Sequence, residues 1–381
     1  MKLFNTAAGI LSAKLARRPF YARFHVTHRC NYHCRMCDFH KLGNKDAELS
    51  VPQVRDVAGR LAELGARHVV ITGGEPFMRL DLPEVIAAFY ERGFSVRVQT
   101  NGGQQVTRAR LDACVRAGLE DLSVSIDTLD RSLQDGICGT SGVVDNALRT
   151  LRLARELLPR SMSLANVVAS AYNFEELPSL VEYFHEMGIY TYITPVMISA
   201  GQNRGRSSEE FRFRSDDAAF LLEDMAPEIR DRVIDQLIDL RRRGRGLTNS
   251  TRFLRDFRRY LASGQCAWRC DSENLCLEVH PDGCVSFCKE KAPTASILAP
   301  GFIGFYQGWE FQRQGAALAE ICTGCFYGEY REPYYAVHDL TVLREWVHDW
   351  FRIFRRGLRF SRRAAPAPAG QGGCEHVSAE S

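Results

Sequence analysis

The sequence predicts an α/β fold in which helices flank a parallel sheet. Short runs rich in β-branched residues alternate with helical segments six times between residues 21 and 196. Several predicted helices end at a glycine, as at Gly65, Gly93, Gly118 and Gly188, which is the usual residue just past a helix end. The run Val-Val-Ile-Thr at 69–72 is almost wholly apolar, which is typical of a sheet buried on both faces.

The elements follow in a regular order along the chain. The predicted strands are residues 24–27, 68–72, 95–100, 121–127, 162–169 and 189–196. The predicted helices between them are residues 51–65, 82–93, 107–118, 142–158 and 174–188. A closed eight-stranded barrel needs two more units than these six. In such folds the chemistry lies at the C-terminal ends of the strands, so we expect functional residues there.

Length and composition exclude several classes of protein. The chain has 381 residues, 45% hydrophobic and 25% charged, which suits one large domain and a smaller one. A net charge of +3 gives no argument for nucleic acid, which we do not expect as a partner. Neither a secretory signal nor an apolar run of 18 residues is present, so the expected location is the cytoplasm. Several of the 13 cysteines lie two or three residues apart, which indicates metal ligands rather than disulfides.

Three cysteines follow the first predicted strand within eight residues. Cys30, Cys34 and Cys37 are separated by three and then two residues. A loop of this kind can bind three irons of a cubane cluster and leave the fourth iron without a protein ligand. A zinc site is the alternative, with a fourth ligand from the nearby histidines. These histidines are His28, His33 and His40.

The motif Cys30-x3-Cys34-x2-Cys37, followed by the aromatic residue Phe39, resembles the signature of the radical S-adenosylmethionine (SAM) superfamily. The resemblance implies an open, partial (β/α)6 TIM-like barrel with a [4Fe–4S] cluster on these three cysteines. It further implies that SAM chelates the open iron and that Phe39 lies near the adenine. Reductive cleavage of SAM would then give a 5′-deoxyadenosyl radical that abstracts hydrogen from a substrate.

Two further stretches resemble motifs of the same family. Gly73-Gly74-Glu75-Pro76 follows the second strand and is similar to the GGE-P motif, which implies that its backbone and Glu75 hold the SAM amino group. Ser125-Ile-Asp127 ends the fourth strand and resembles the S-x-D stretch that approaches SAM. Ser125 and Asp127 share one strand face, and a buried carboxylate needs a partner. Asn166 on the fifth strand is a further candidate for cofactor contact, with a satisfied buried amide as the alternative.

The sequence lacks one feature that is common in the family it resembles. Many of those with an additional cluster carry an Arg-Gly step shortly after the S-x-D stretch, whereas residues 135–139 here read Asp-Gly-Ile-Cys-Gly. We expect Cys138 in that segment to be an ordinary small core residue.

A second group of cysteines begins after residue 265. Cys270-x12-Gly283-x4-Cys288, followed by Cys322-x2-Cys325, resembles the twitch domain, a shortened SPASM domain of radical SAM enzymes. A turn at Pro281-Asp-Gly283 would reverse the chain as a hairpin. The resemblance implies one auxiliary [4Fe–4S] cluster on the four cysteines, and a zinc ribbon is the alternative. Cys266, Cys276 and Cys284 have no assigned role, although ligand exchange with Cys270 or Cys288 stays open.

The remaining segments complete the expected domain order. It comprises an N-terminal amphipathic helix (1–20), the partial barrel (21–199), a basic helical connector (200–265), the twitch domain (266–335), a C-terminal amphipathic helix (336–360) and a disordered tail (361–381). For residues 1–20 and 340–360 the alternatives are packing on the protein and peripheral contact with a membrane. The segment before the first strand is too short for a leader-binding domain, which disfavours a peptide substrate.

These observations together predict a radical SAM enzyme that oxidises or rearranges a small hydroxylated or amino-sugar-like metabolite. Its expected partners are that small molecule and a reductant such as flavodoxin or ferredoxin. Modification of a peptide, or of a lipid or membrane-associated substrate, is the alternative within the same class. A non-catalytic iron–sulfur or zinc protein that carries electrons or binds a partner is the alternative from another class.

Overall fold

A parallel sheet of six strands forms the body of the protein, and the strands lie side by side in chain order. The computed structural model describes residues 13, 18–37, 39–42, 48–196, 217–222, 225–263, 270, 275–288, 293–321 and 325–363. The strands are β1 (Tyr21–His25), β2 (His68–Thr72), β3 (Ser95–Thr100), β4 (Leu119–Ser125), β5 (Leu164–Ala169) and β6 (Tyr190–Pro195). The predicted α/β class and the open, partial barrel are both confirmed.

Helices connect the strands as crossovers. They are α1 (Val51–Leu64), α2 (Leu82–Tyr90), α3 (Arg108–Arg116), α4 (Arg131–Cys138), α5 (Val143–Leu157) and α6 (Leu177–Glu186). Helix α4 was not predicted, so two helices rather than one separate β4 from β5. In α1 the buried apolar residues fall on one face, and burial of each Val or Leu side chain stabilises the fold by about 1.5–3 kcal/mol.

The two faces of the sheet have opposite character. On β3 the side chains of Val96 and Val98 are buried under the helices, while Arg97 and Gln99 on the other face line an internal cavity. The prediction of a sheet with two apolar faces was therefore wrong for the concave face. That face is polar because the partial barrel encloses a cavity of about 1330 Å³ instead of a packed core.

The predicted C-terminal hairpin is present and is part of the same sheet. Strand β7 (Cys276–Val279) pairs with β8 (Cys284–Ser286) in antiparallel fashion, and β8 pairs with β9 (Ala295–Ser296). Strand β7 also pairs in parallel with β1, where Tyr21 lies opposite Cys276 and Phe24 opposite Val279. In the described part of the chain the sheet therefore has nine strands, in the order β6-β5-β4-β3-β2-β1-β7-β8-β9.

The other helices lie in the C-terminal half of the chain. They are α7 (Pro227–Arg243), α8 (Thr251–Ser263), α9 (Phe302–Gln307), α10 (Trp309–Ile321), α11 (Gly328–His338) and α12 (Leu340–Arg363). Val342 of α12 is fully buried and Trp346 lines the cavity, so the first turns of this helix pack on the protein. Among the described helices, none is long and apolar enough to cross a membrane. Most of residues 1–17 and all of residues 364–381 lie outside the described part of the chain, and membrane contact stays a prediction.

Candidate active site

The cavity inside the barrel collects most of the residues that the sequence singled out. Its wall includes the three thiols and the aromatic residue after them, the two glycines after β2, and polar residues from β4 and β5. These residues are Cys30, Cys34, Cys37, Phe39, Gly73, Gly74, Ser125, Asp127 and Asn166. Two predicted residues, Glu75 and Pro76, lie just behind the wall and do not line the cavity. All of them except Asn166, which lies within β5, follow or end strands, as expected at the C-terminal edge of a parallel sheet.

Backbone hydrogen bonds join the cysteine loop to helix α4, the helix that was not predicted. The backbone N–H of His33 donates to the carbonyl oxygen of Cys138 (3.0 Å), and that of Arg35 donates to the carbonyl oxygen of Ile137 (2.9 Å). A turn closed by Cys37 N–H and the Cys34 carbonyl (3.1 Å) brings the second and third cysteines together. All three thiols are half-buried. The loop therefore has a fixed shape before any ligand is bound.

Donors around the first thiol suit a thiolate. The Cys30 sulfur lies 3.5 Å from the backbone nitrogen of Tyr32 and 3.9 Å from the side-chain nitrogen of Asn101. Burial raises the pKa of Cys30 to about 11, and the nearby Glu75 and Cys37 add to the shift. Thiols held protonated in this way must release protons when they bind a metal. Within the described residues, no three His, Cys, Asp or Glu side chains are close enough to share one metal ion.

Cys138 lies beside the cysteine loop rather than in an ordinary core position. It is buried in a small cluster with Tyr32 and Cys34, and it lines the cavity. A hydrogen bond with Cys138, together with burial, raises the pKa of Cys34 well above its usual value. The side-chain nitrogen of Gln134 donates to the Cys138 sulfur at 3.3 Å. The expectation of a plain core residue was therefore incomplete, because nothing near Cys138 in the sequence indicates the loop it contacts.

The two glycines after β2 lie against the start of the cysteine loop. The Gly74 N–H donates to the Thr27 carbonyl, and the Glu75 N–H donates to the Arg29 carbonyl, both at 2.8 Å. A Cβ atom on Gly73 would lie 2.2 Å from the Thr27 carbonyl oxygen, and one on Gly74 would lie 2.2 Å from the Arg29 carbonyl oxygen. The φ angle of Gly73 is 138°, which also favours glycine. Glycine is therefore needed at both positions for the backbones to approach.

Glu75 is fully buried, and its carboxylate is satisfied by the protein. It accepts hydrogen bonds from the Asn101 N–H (2.7 Å), the Thr100 hydroxyl (2.8 Å) and the Phe77 N–H (2.9 Å). Burial raises the pKa of Glu75 to about 7, against the effect of these hydrogen bonds and of Arg110. The carboxylate orders the ends of β2 and β3 beside the cavity. The contact of Glu75 with SAM stays a prediction.

The polar residues of β4 and β5 form the opposite wall. Ser125 lies directly opposite Asn166 in the parallel pairing, so both side chains face the cavity at the same level. Asp127 is almost fully buried and accepts a hydrogen bond from the Val168 N–H at 2.8 Å. Burial raises the pKa of Asp127 to about 6, against hydrogen bonds from Val168 and Gln134. Each of these groups can take part in polar contact with a bound ligand.

Phe39 contributes a stacked aromatic group to the wall. Its ring lies 5.5 Å from the His25 ring, at an interplanar angle of 21°, and 5.7 Å from the His28 ring. His280, from the C-terminal hairpin, also stacks with His25, with ring centroids 5.6 Å apart. Burial lowers the pKa of His280 to about 3, and His25 adds to the shift, so this ring is neutral at ordinary pH. The arrangement suits packing against a flat heterocycle.

The described cysteines of the second group lie outside the cavity. Cys270, Cys288 and Cys325 are half-buried, and Cys322 lies outside the described residues. The Arg331 side chain, fully buried over the Phe326 ring, donates to the Cys325 carbonyl at 3.0 Å. Cys276 is buried in β7, Cys284 begins β8, and Cys266 is not among the described residues. Among the described cysteines of this group, none lines the cavity.

Among the cavity-wall residues that the sequence did not predict are one from β6 and two from α11. Tyr192 of β6, Glu329 and Glu332 of α11 all line the cavity. Tyr192 lies 26 residues after Asn166 and Glu329 lies four residues after Cys325, and none of the three belongs to a recognisable pattern. Only the pairing of β6 with β5 and the packing of α11 place them at the site.

Comparison with known proteins shows what this chain is similar to. A family profile described as "Radical SAM superfamily" matches residues 24–184. The GTP 3′,8-cyclase of Tolumonas auensis is 32% identical over 198 residues, which are 51% of this chain and 58% of that protein. The PqqA peptide cyclase of Granulibacter bethesdensis is 31% identical over 165 residues, which are 43% of each chain. The chain spans about half the length of the curated relatives it matches.

Solved structures share the fold over a larger part of the chain. Streptococcus suis SuiB bound to S-adenosylmethionine aligns with a TM-score of 0.60 and 14% identity, over 81% of this chain and 73% of that chain. The protein anSMEcpe with bound AdoMet aligns with a TM-score of 0.58 and 13% identity, over 90% of this chain and 99% of that chain. The likeness therefore extends beyond the barrel into the C-terminal half.

Proposed function

Residues 24–184 form a domain of the radical SAM superfamily, and from this premise we propose that the enzyme abstracts a hydrogen atom from a substrate held inside the barrel. Enzymes of this superfamily use a [4Fe–4S] cluster and SAM, and an auxiliary cluster is typical of their SPASM-type members. The observation that carries the proposal is the convergence of the cysteine loop, the glycine pair and the Ser125–Asn166 wall on one cavity.

The roles of the cavity residues follow from their positions. Cys30, Cys34 and Cys37 would hold the cluster, which together with SAM supplies a 5′-deoxyadenosyl radical. The backbone at Gly73 and Gly74 faces the cavity and offers close polar contact to an amino acid moiety. The enclosing barrel keeps water from a reactive centre and holds the substrate in contact range.

On the opposite wall, Ser125, Asp127 and Asn166 would contact the ribose or carboxylate of SAM. Phe39 would pack near the adenine, since its ring already takes part in a stack of flat rings.

We assign an auxiliary [4Fe–4S] cluster to Cys270, Cys288, Cys322 and Cys325, within a domain of residues 266–335. The domain of residues 21–199 holds the barrel, and residues 200–265 connect the two. A site with four protein thiolates has no open position, so the chemistry it supplies is acceptance of an electron. The net reaction would then be a two-electron oxidation of the substrate.

The substrate predicted first was a small hydroxylated or amino-sugar-like metabolite. A peptide side chain is the second candidate, and one relative named as a peptide cyclase favours it. The likeness in fold to anSMEcpe, which covers nearly all of that chain, is compatible with either substrate because it concerns the fold alone.

The proposal is tested by reconstituting the protein with iron and sulfide under anaerobic conditions and adding SAM and dithionite. We expect 5′-deoxyadenosine from the wild type and none from a variant in which Cys30, Cys34 and Cys37 are all Ala. Two cubane clusters correspond to about eight irons per chain. Full iron occupancy without SAM cleavage would favour the non-catalytic electron carrier instead.

The separate role of the second cysteine group is tested by Cys322→Ala. We expect about four irons per chain, unchanged cleavage of SAM and loss of substrate turnover, because the barrel site is complete without this residue. Cys284→Ala serves as the control, since Cys284 belongs to the same segment but not to the proposed ligand set. Loss of SAM cleavage in a folded Cys322→Ala protein would show that the two sites do not divide the reaction in this way.

A further inference from the structure

One part of the cavity wall holds polar groups that the cofactor roles do not use. Tyr192 of β6 and Glu332 of α11 both line the cavity, and each has a buried oxygen without a hydrogen-bond partner among the described residues. The two atoms are the Tyr192 hydroxyl oxygen and Glu332 Oε2. Buried polar atoms are nearly always paired in folded proteins, so two neighbouring exceptions on a cavity wall indicate a ligand.

The surroundings of Glu332 leave one of its oxygens for such a ligand. Its Oε1 accepts the Ser250 N–H at 2.8 Å, and the residue is only 6% exposed. The nearby cation, Arg241, is held by Asp349 at 2.6 Å and by the Leu247 carbonyl at 3.0 Å. Its remaining contact is with Glu345 at 3.4 Å. Arg241 therefore does not neutralise Glu332 directly.

The Tyr192 hydroxyl is fixed in place by a glycine. A Cβ atom on Gly328 would lie 1.2 Å from the Tyr192 oxygen, so no other residue fits there while the ring keeps this position. The φ angle of Gly328 does not require glycine, since it is not among the positive values. Close packing alone therefore accounts for the glycine, and it holds the phenol against the first turn of α11, the helix that carries Glu332.

The charge of the cavity wall selects the kind of ligand. Among the described residues, six acidic and three basic side chains line it, so this part of the wall favours a cation. Of the basic side chains, Arg23 lies 3.3 Å from Glu278 and 3.5 Å from Glu329, and Arg97 donates to Asp121 at 3.1 Å. Both arginines therefore already contact carboxylates, which leaves Arg160 as the third basic side chain of the wall and weakens the attraction for a polyanionic substrate such as a nucleoside triphosphate.

We propose that Glu332 and Tyr192 bind a protonated primary amine of the substrate, in the same cavity that receives the reacting carbon. This inference rests on the proposed function and adds the substrate class to it. The Glu332 carboxylate and the Tyr192 oxygen accept N–H bonds from the ammonium group, and Glu329 adds a second negative charge nearby. The amine can belong to an amino-sugar-like metabolite or to a lysine side chain of a peptide.

The titration of Glu332 gives the binding a pH dependence. Burial raises the pKa of Glu332 to about 7, against hydrogen bonds from Ser250 and the charge of Arg241, and with reinforcement from Glu345. Tyr335 of α11 and Asp349 of α12 also face this region, and burial keeps the Tyr192 phenol neutral. Because only the ionised carboxylate pairs with an ammonium group, amine affinity should fall as the pH drops below about 7.

The test compares charged and neutral partners that differ by one acetyl group. Calorimetric titrations of the SAM-loaded, reconstituted enzyme use glucosamine against N-acetylglucosamine, and acetyl-Gly-Lys-Gly-amide against the same peptide with acetyl-lysine. We expect at least one amine to bind about tenfold more tightly than its neutral partner, the effect of one charge-assisted contact. The pair that shows this preference identifies the source of the amine. The sugar pair would indicate an amino-sugar-like metabolite, and the peptide pair a lysine side chain.

The variants assign the preference to a residue. Glu332→Gln should reduce it to about twofold or less, because the neutral amide no longer pairs with the ammonium group. Asp121→Asn is the matched control, since Asp121 lines the same cavity but is satisfied by Arg97 and the Met162 N–H (2.9 Å), and it should keep the preference. Tyr192→Phe should weaken amine binding without changing the charge.

Three outcomes would overturn the inference. The first is that neither amine binds. The second is that Glu332→Gln prefers the amine over its acetylated partner as strongly as the wild type does. The third is that GTP binds more tightly than either amine. Cleavage of SAM is measured in the same samples without any amine. If the wild type cleaves SAM but fails the amine test, only the inference about Glu332 and Tyr192 is contradicted. If the wild type does not cleave SAM, the proposed function is contradicted.

Discussion

A methyl group at Gly74 would meet the backbone next to the proposed cluster site. A Cβ there would lie 2.2 Å from the Arg29 carbonyl oxygen and 2.7 Å from that of His28, both of which are backbone atoms of the cysteine loop. Backbone atoms cannot move aside by changing a rotamer. A substitution at Gly74 must therefore shift the loop itself.

We predict that Gly74→Ala lowers the free energy of unfolding by about 2 kcal/mol and removes most of the iron bound after reconstitution. The control is Gly136→Ala, because a Cβ at this exposed helical glycine has no atom within 4 Å. Replacing that glycine should leave the iron content unchanged and stabilise helix α4 slightly. Thermal unfolding and iron analysis of both variants check this, and full iron content in Gly74→Ala would contradict it.

At the scale of single elements, the contact between β6 and α11 is unusually close. The Tyr192 hydroxyl lies where a side chain of Gly328 would begin, and both residues line the cavity. The two elements are therefore fixed relative to each other by one phenol and one glycine. This contact determines how far α11 lies from the barrel interior.

We predict that Gly328→Ala destabilises the protein by about 2–3 kcal/mol and that Tyr192→Phe in the same chain restores part of the loss. The restoration is partial because the ring carbon next to the hydroxyl would still lie 2.5 Å from the new methyl group. Urea unfolding of the two single variants and the double variant gives the coupling energy directly. If the two changes in the free energy of unfolding were strictly additive, the two residues would not be in contact.

The elements also show which parts of the site follow from the sequence. The cysteine loop, the glycine pair and the Ser125–Asp127 stretch were predicted at strand ends and do line the cavity, because each is a local pattern next to a strand. Cys138 and Glu332 were not placed there. Their positions depend on how α4 and α11 pack against distant segments, which no local periodicity indicates.

At the scale of the whole molecule, Glu278 joins the C-terminal hairpin to the first strand. It is fully buried on β7 and contacts His25 at 2.7 Å, the Tyr330 hydroxyl at 2.7 Å and Arg23 at 3.3 Å. Although burial alone would raise the pKa of Glu278, Arg23, His25 and Tyr330 lower it to about 2. The ionised carboxylate therefore stabilises the folded protein.

We predict that Glu278→Gln lowers the free energy of unfolding by about 3 kcal/mol at pH 7, because it removes the fully buried carboxylate that contacts both Arg23 and His25 and leaves Arg23 with Glu329 alone among the described carboxylates. The folded pKa lies below the ordinary value of 4.5, so the stabilisation is complete above about pH 4.5 and is lost as the pH falls towards 2. Urea unfolding between pH 7 and pH 3 should show the two proteins converging in acid.

Glu91→Gln is the control for this prediction, since Glu91 is an exposed residue paired with Arg55, and it should cost less than about 1 kcal/mol. A difference between wild type and Glu278→Gln that stays constant with pH would show that the carboxylate is not ionised in the folded state.

The parallel pairing of β7 with β1 has a consequence for the growing chain on the ribosome. Strand β1 leaves the exit tunnel about 250 residues before its neighbour, since Tyr21 lies opposite Cys276. During that interval the unpaired edge of β1 can pair with strands of other chains. Nascent barrels should therefore need a chaperone or rapid translation to avoid aggregation. The pairing that completes β1, the first strand of the chain, is therefore formed late, when β7 is synthesised.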